Sequence, residues 1–292
     1  MTAFGANDAL AFRRQLRRVA NQLDRSLPWS NCGDPWAVLV SEVMLQQTQV
    51  SRVKEAWPRF LERFPTPEAC ANASLDDVLR QWSGLGYARR ARALYLAAKE
   101  ITQQHEGVVP RTLDQLQALP GVGNYTSRAV ASFAYGEPVA VLDTNVGRIL
   151  ARALANTSLT PREAQALADA ARGRIDSALW NQAMLDLGAQ FCKATPLCAT
   201  CPVRTVCAWQ REGGPDPSVQ SAAVSRPQPR FHGSLRQQRG TVLRVLGEAA
   251  CTRAQLAASE GVDEERLDRV LFDLERDGLI TKTRRRWSLA TS

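Results

Sequence analysis

Apolar residues recur along this chain mostly at three- and four-residue spacing, the period of an amphipathic helix. Residues 7–25 fit a basic helix with Leu10, Leu16, Val19 and Leu23 on its apolar side. A turn-rich stretch, SLPWSNCGDP, follows. Asp34 before Pro35 supplies an N-cap and a first helical residue. A long helix is predicted from Trp36 towards Lys54. Further helical segments fit 75–82, 88–104, 112–118, 124–135, 144–155, 161–173 and 178–190. Strand-type alternation is almost absent before residue 230, so the body is predicted to be all-α.

Residues 210–234 lose this period, and Gly, Pro, Ser and Gln crowd together there, as in a linker. Order returns at 235–292. Val242, Leu243, Val245 and Leu246 suit one helix, Ala254 to Ala258 a second, and Leu267, Val270, Leu271 and Leu274 a third. LITKTRRRWSLA then reads as a hairpin, which completes a winged-helix outline. The predicted domains are thus 1–209, with a cysteine loop at 192–207, the linker 210–234 and the module 235–292.

A chain of 292 residues with 45% apolar content can fill two domain cores. Its net charge of +8 favours a polyanionic partner, with nucleic acid first among them. The N-terminal stretch lacks the apolar core of a signal peptide, and no segment approaches the roughly 18 apolar residues of a membrane helix. A cytoplasmic location without membrane contact is expected, where disulfides are disfavoured. Of the seven cysteines, four cluster as Cys-x5-Cys-x2-Cys-x5-Cys at Cys192, Cys198, Cys201 and Cys207. Four such thiolates suit an iron–sulfur cluster or a structural zinc.

Three further features could carry chemistry. Glu42 lies in WAVLVSEVMLQQTQV, the most apolar helix of the chain. Burial there would raise a carboxyl pKa and suit it to general-acid work. The same window also fits a Glu on the solvent face of an amphipathic helix. LDQLQALPGVGNYTSRAV is helix, tight turn, helix, with Gly121 and Gly123 in the turn. Such a turn lets backbone N–H groups grip phosphate without reading sequence, though an ordinary helical hairpin has the same pattern. Asp143 in VLDTNV fits a helix N-cap, or a second carboxylate facing a developing cation.

SEVMLQQTQV, QWSGLGYARRARAL, LPGVGNYT, VLDTNV and the cysteine run occur in the order of the helix-hairpin-helix DNA glycosylases. Across about residues 7–210 the chain resembles the A/G-specific adenine DNA glycosylases, the MutY family, in the shorter actinobacterial-type form. The resemblance implies a two-lobed all-α glycosylase that flips adenine out of duplex DNA containing a mismatch with 8-oxoguanine or guanine and cuts its N-glycosidic bond. It implies a monomer associated with the bacterial nucleoid, acting in base excision repair. Glu42 would protonate adenine N7 and later activate water, and Asp143 would stabilise the cationic sugar. Tyr125 and Asn145 would position them. Arg25 and Trp29 would line the pocket. Gln47, Thr48, Leu85 and Tyr87 would probe the opposite base, and Gly121, Val122 and Gly123 would hold phosphate. The cysteines would hold a structural [4Fe-4S] cluster, with zinc as the alternative.

Bifunctional lyases of the superfamily carry Lys two places after the second hairpin Gly, where this chain has Tyr125. No amine stands there to form a Schiff base. A monofunctional enzyme is expected. Thymine excision from T·G pairs is the nearest alternative, and a non-enzymatic iron–sulfur DNA sensor another. The chain departs from the family pattern in three places. The first cysteine gap is one residue short, Ser30 stands where many relatives have Arg, and the module at 235–292 stands in place of a β-rich Nudix-like domain. The module's third helix, DEERLDRVLFDLERD, holds seven acidic residues and three Arg, which phosphate would repel. The hairpin with Lys282, Arg284, Arg285, Arg286 and Trp287 is the better DNA contact.

Overall fold

The predicted helical body is present in the computed structural model of the chain, which describes residues 6–23, 27–30, 32–224 and 230–292. Arg25 lies outside the described residues. In chain order the helices of the body are α1 (Ala6–Leu23), α2 (Pro35–Leu45), α3 (Val50–Arg63), α4 (Pro67–Ala71), α5 (Leu75–Gln81) and α6 (Arg89–Gln104). They continue with α7 (Leu113–Ala118), α8 (Asn124–Tyr135), α9 (Thr144–Ile149), α10 (Pro161–Arg172), α11 (Ser177–Gln190) and α12 (Ala208–Glu212). Leu150–Ala155 extends α9 as a π-helical segment. The last region adds α13 (Leu235–Glu248), β1 (Cys251–Thr252), α14 (Arg253–Ala257), α15 (Glu264–Arg276), β2 (Ile280–Thr283) and β3 (Arg286–Leu289). Among the described residues, no helix is long and apolar enough to cross a membrane.

Two compact units result, one from Met1–Gly33 with Ser127–Pro227, the other from Asp34–Thr126 with Gln228–Ser292. In the second, α2 is a core helix. Asp34 caps it, accepting from the Trp36 N–H at 2.9 Å, and every residue from Trp36 to Met44 is buried. The single helix expected to reach Lys54 is in fact two. Arg90 explains the break, because its Nη1 donates to the carbonyls of Val43, Met44 and Gln46 at 2.9, 2.9 and 2.6 Å. A continuing helix would need those same acceptors for the N–H groups four residues on. Gln47 takes φ +57°, a left-handed conformation incompatible with helix continuation. The second helix, α3, runs through Pro58. Its buried face of Val53, Ala56 and Phe60 outweighs the hydrogen bond that Pro58 removes. Phe60 then meets Phe64 and Trp82 edge-on, at 4.9 and 6.0 Å between ring centroids.

The winged-helix outline is realised as α13, α14 and α15 with a three-stranded antiparallel sheet in the order β1-β3-β2. Val242, Leu246, Leu256, Leu267, Val270, Leu271 and Leu274 fill its core. Trp287 is buried there too, which removes it from the expected DNA-contacting set. Lys282 lies over its ring at 5.2 Å, while Arg284 and Arg285 stand exposed at the hairpin tip.

The module packs within the second unit. Leu75 N–H donates to Thr291 O at 3.1 Å. Asp277 accepts from Arg89 Nε and Nη2 at 2.6 and 2.5 Å and from Arg239 Nη2 at 2.5 Å. Burial pushes the Asp277 carboxyl up, yet these two guanidiniums hold it below the usual carboxylate range. In the first unit, the stretch read as a linker is held as far as Ala223. Ala222 N–H donates to Leu159 O at 2.8 Å, Ser221 Oγ accepts from Leu159 N–H at 3.1 Å, and Thr144 Oγ1 donates to Ala223 O at 2.8 Å.

Candidate active site and cysteine loop

Glu42 is 5% exposed, enclosed with Val38, Val43 and Met44 on a helix with no solvent face. The solvent-face alternative for this residue is thereby excluded. Just beyond it, the Arg90 guanidinium joins two loops. Besides the three carbonyls at the end of α2, Arg90 Nη2 donates to Thr48 Oγ1 at 2.9 Å, Leu85 O at 3.2 Å and Gly86 O at 3.0 Å. The ring faces of Trp82 and Tyr87 lie 5.5 and 5.4 Å from it. Burial lowers its pKa to about 10, so it stays charged near neutrality. Gln47 and Thr48 are thereby brought beside Leu85 and Tyr87. Gln47 is exposed, Thr48 and Tyr87 are half-buried, and the Leu85 side chain is buried inside the unit. Arg90 went unnoticed in the sequence, where it is one of several arginines in GYARRAR.

The hairpin turn lies in the same unit. Val122 is buried and anchors the turn, leaving Gly121 and Gly123 exposed on either side. Gly121 has φ +76°, and a Cβ there would come 2.6 Å from the Ala93 Cβ. Gly123 has ordinary φ and nothing within 4 Å of a built Cβ, so the space above it is open. Packing requires the first glycine. The second leaves the backbone accessible at the start of α8. Tyr125 is half-buried in the first turn of α8, and Gln46 Nε2 donates to Thr126 Oγ1 at 3.3 Å.

In the first unit, Asp143 caps α9 by accepting from Val146 N–H at 2.8 Å, as its N-cap reading required. Its other oxygen accepts from Asn145 Nδ2 at 2.9 Å. Arg148 Nη2 then donates to Asn145 Oδ1 at 2.6 Å, and its Nε to Cys192 O at 2.6 Å. A continuous polar chain thus runs from Asp143 to the cysteine loop. Gly188 of α11 permits it, since a Cβ there would sit 2.5 Å from the Asn145 Cβ. Desolvation raises the Asp143 pKa, against the opposing effect of its hydrogen bonds to Val146 and Asn145. Trp29 is buried in this unit.

Cys192, Cys198, Cys201 and Cys207 are all free thiols and line one small cavity. Burial pushes Cys192 and Cys207 up and Cys201 up to about 11. Arg152 anchors the loop from the π-helical segment, donating to Lys193 O at 2.6 Å and Ala194 O at 3.1 Å. It also pairs with Asp216 at 2.5 Å, which lowers that carboxyl to about 2. Arg148 and Arg152 stand four apart in VGRILARAL, an otherwise apolar run. That spacing is the sequence signal by which two buried arginines could have been found.

Residues 40–171 match the HhH-GPD superfamily base excision DNA repair protein family. The adenine DNA glycosylase of Mycobacterium tuberculosis is 43% identical over 268 residues, covering 89% of this chain and 86% of that protein. That of Mycolicibacterium smegmatis is 41% identical over 266 residues, covering 89% of each. The solved structure of a thermostable thymine-DNA glycosylase shares the fold, with a TM-score of 0.64 at 24% identity over 70% of this chain and 97% of that one. Fold and hairpin therefore define a helix-hairpin-helix protein of the base-excision class. Within that class, the chain belongs to the adenine DNA glycosylase family.

The two hairpin glycines should respond differently to substitution. Gly121→Ala is expected to lose about 1–3 kcal/mol of stability through its left-handed backbone and the Ala93 contact. Gly123→Ala should lose less than about 1 kcal/mol. Urea unfolding of both variants checks this contrast.

Proposed function

We propose that the protein hydrolyses the N-glycosidic bond of adenine mispaired with 8-oxoguanine or guanine in double-stranded DNA, acting as a monomer and leaving the strand unbroken. The observation that carries this is Glu42, a carboxyl 5% exposed in an apolar helix of an adenine DNA glycosylase-family chain. As a carboxylic acid it donates its proton to adenine N7. The base then leaves neutral and the bonding electrons go with it. The sugar becomes cationic at C1′, where the Asp143 carboxylate stabilises it. Asn145 and the α9 N-terminus hold that carboxylate in place. Glu42, now ionised, takes a proton from the water that bonds to C1′, which restores the acid. Tyr125 offers no amine for a Schiff base, so no lyase step follows. Gly121, Val122 and Gly123 hold the backbone phosphate, while Gln47, Thr48 and Tyr87 meet the opposite base. The buried Leu85 supports that loop from within.

The four thiols fit a [4Fe-4S] cluster. All four line a single small cavity, and an all-cysteine set of four is the donor set such a cluster takes. When bound, such a cluster supplies a rigid cross-link among the thiolates of the loop. Arg152 and Arg148 hold that loop from the helix that Asp143 caps.

Single-turnover base release from duplexes with A opposite 8-oxoguanine, A opposite G and T opposite G tests the function. Adenine should be released, with nicks only after alkali, and Glu42→Gln should slow release about 10²–10⁴-fold. Thymine release instead would move the activity to T·G pairs. Asp143 acts only when ionised and its pKa lies above the ordinary 3.8. The rate should therefore fall with falling pH through a midpoint above 3.8. Iron and acid-labile sulfide should both be present in the purified protein, and zinc alone would refute the cluster.

A further inference from the structure

Tyr87 stands where the GLGY loop meets the C-terminal module within the second unit. Its φ of +48° is a conformation that a bulky L-residue rarely adopts, so its surroundings must hold it there. Two guanidiniums do so. Arg90 of α6 and Arg236 of α13 each lie 5.4 Å from the Tyr87 ring centroid. Arg236 Nη1 also donates to the Tyr87 hydroxyl at 2.5 Å. One contact fixes the plane of the ring and the other its tip. A second aromatic ring, Phe231, lies 5.3 Å from Arg236 and steadies the guanidinium itself.

The module is attached by other contacts besides Arg236. Asp277 pairs with Arg89 and Arg239, and Leu75 bonds to Thr291. Arg236 is directed instead at the one aromatic side chain of the loop that Arg90 joins to Thr48. A groove of about 680 Å³ opens beside this contact, between α13 and the loop, lined by Gly84, Gly86, Tyr87, Arg236 and Gly240. Sequence alone separates Tyr87 from Arg236 by 149 residues and gives no sign of the pairing.

We infer that Arg236 is a positioning residue through which the C-terminal module sets the Tyr87 ring, and with it the discrimination of the base opposite the adenine. This role presupposes the adenine excision proposed above. The small module would then contribute to opposite-base selection by holding a reader on the glycosylase body, with no base contact of its own.

A double-mutant cycle tests it. Single-turnover adenine release is measured with 8-oxoguanine and with guanine opposite, for wild type, Arg236→Ala, Arg236→Lys, Tyr87→Ala and the Arg236→Ala/Tyr87→Ala pair, alongside thermal unfolding. In Arg236→Ala the ratio of the two rates should fall about tenfold, the scale of a lost cation–π contact and charged hydrogen bond. Arg236→Lys should recover part of the ratio, since its ammonium can still donate to the hydroxyl. In the Tyr87→Ala background, Arg236→Ala should change nothing further. An unchanged ratio in Arg236→Ala, or an equal effect with and without Tyr87, would overturn the inference. If Arg236→Ala unfolds at a much lower temperature, Arg236→Lys decides in its place, and a loss of ratio there that is equal with and without Tyr87 would overturn the inference. Wild-type protein that releases adenine opposite neither base would defeat the proposed function instead.

Discussion

Arg90 places one guanidinium among six oxygen acceptors, on Val43, Met44, Gln46, Thr48, Leu85 and Gly86. Much of the second unit follows from that arrangement. It ends α2 just after Glu42, turns Gln47 outward in a left-handed conformation and fixes the GLGY loop alongside. A planar fork with five donors can serve two loops at once, whereas an ammonium has three donors at a single point. Burial of the charge is opposed by desolvation, and each carbonyl it satisfies offsets part of that penalty. Leaving several of those carbonyls without donors would cost about 1–3 kcal/mol each where they are buried. The two loops are therefore set by a common constraint.

The first unit relies on the same device in another form. Arg148 and Arg152 come from consecutive turns of one helical stretch and hold the backbone of the cysteine loop. Through Asn145, Arg148 also reaches the carboxylate that caps α9. Asp143 is consequently both a helix cap and the end of a polar chain that begins at Cys192. Its N-cap geometry and the charge-stabilising role proposed for it are compatible, because the cap aims the carboxylate while desolvation strengthens its field.

Local rules made most of the helices legible. Asp34-Pro35 marked the start of α2 as observed, and Leu267, Val270, Leu271 and Leu274 marked the buried face of α15. Where the sequence misled, a long-range contact had overridden local propensity. The break at Gln46–Gln49 is set by an arginine more than forty residues away, and no period in residues 36–54 records it. Trp287 reads as part of an exposed basic hairpin, yet it is buried in the folded module. The candidate carboxylates and cysteines were legible as motifs because their residue types are chemically restrictive. The arginines that hold them were not, since an arginine in a basic chain is ambiguous until its acceptors are known. Glu42 illustrates the limit from the other side: its burial follows from α2 having no solvent face, which the apolar run hinted at but could not establish.

The most direct measurement is amide hydrogen exchange on Arg90→Lys, paired with single-turnover adenine release. Exchange at residues 46–48 and at 85–87 should rise together while the α11 core stays protected, and adenine release should fall. Faster exchange in only one of the two segments, or in neither, would contradict a shared constraint at Arg90.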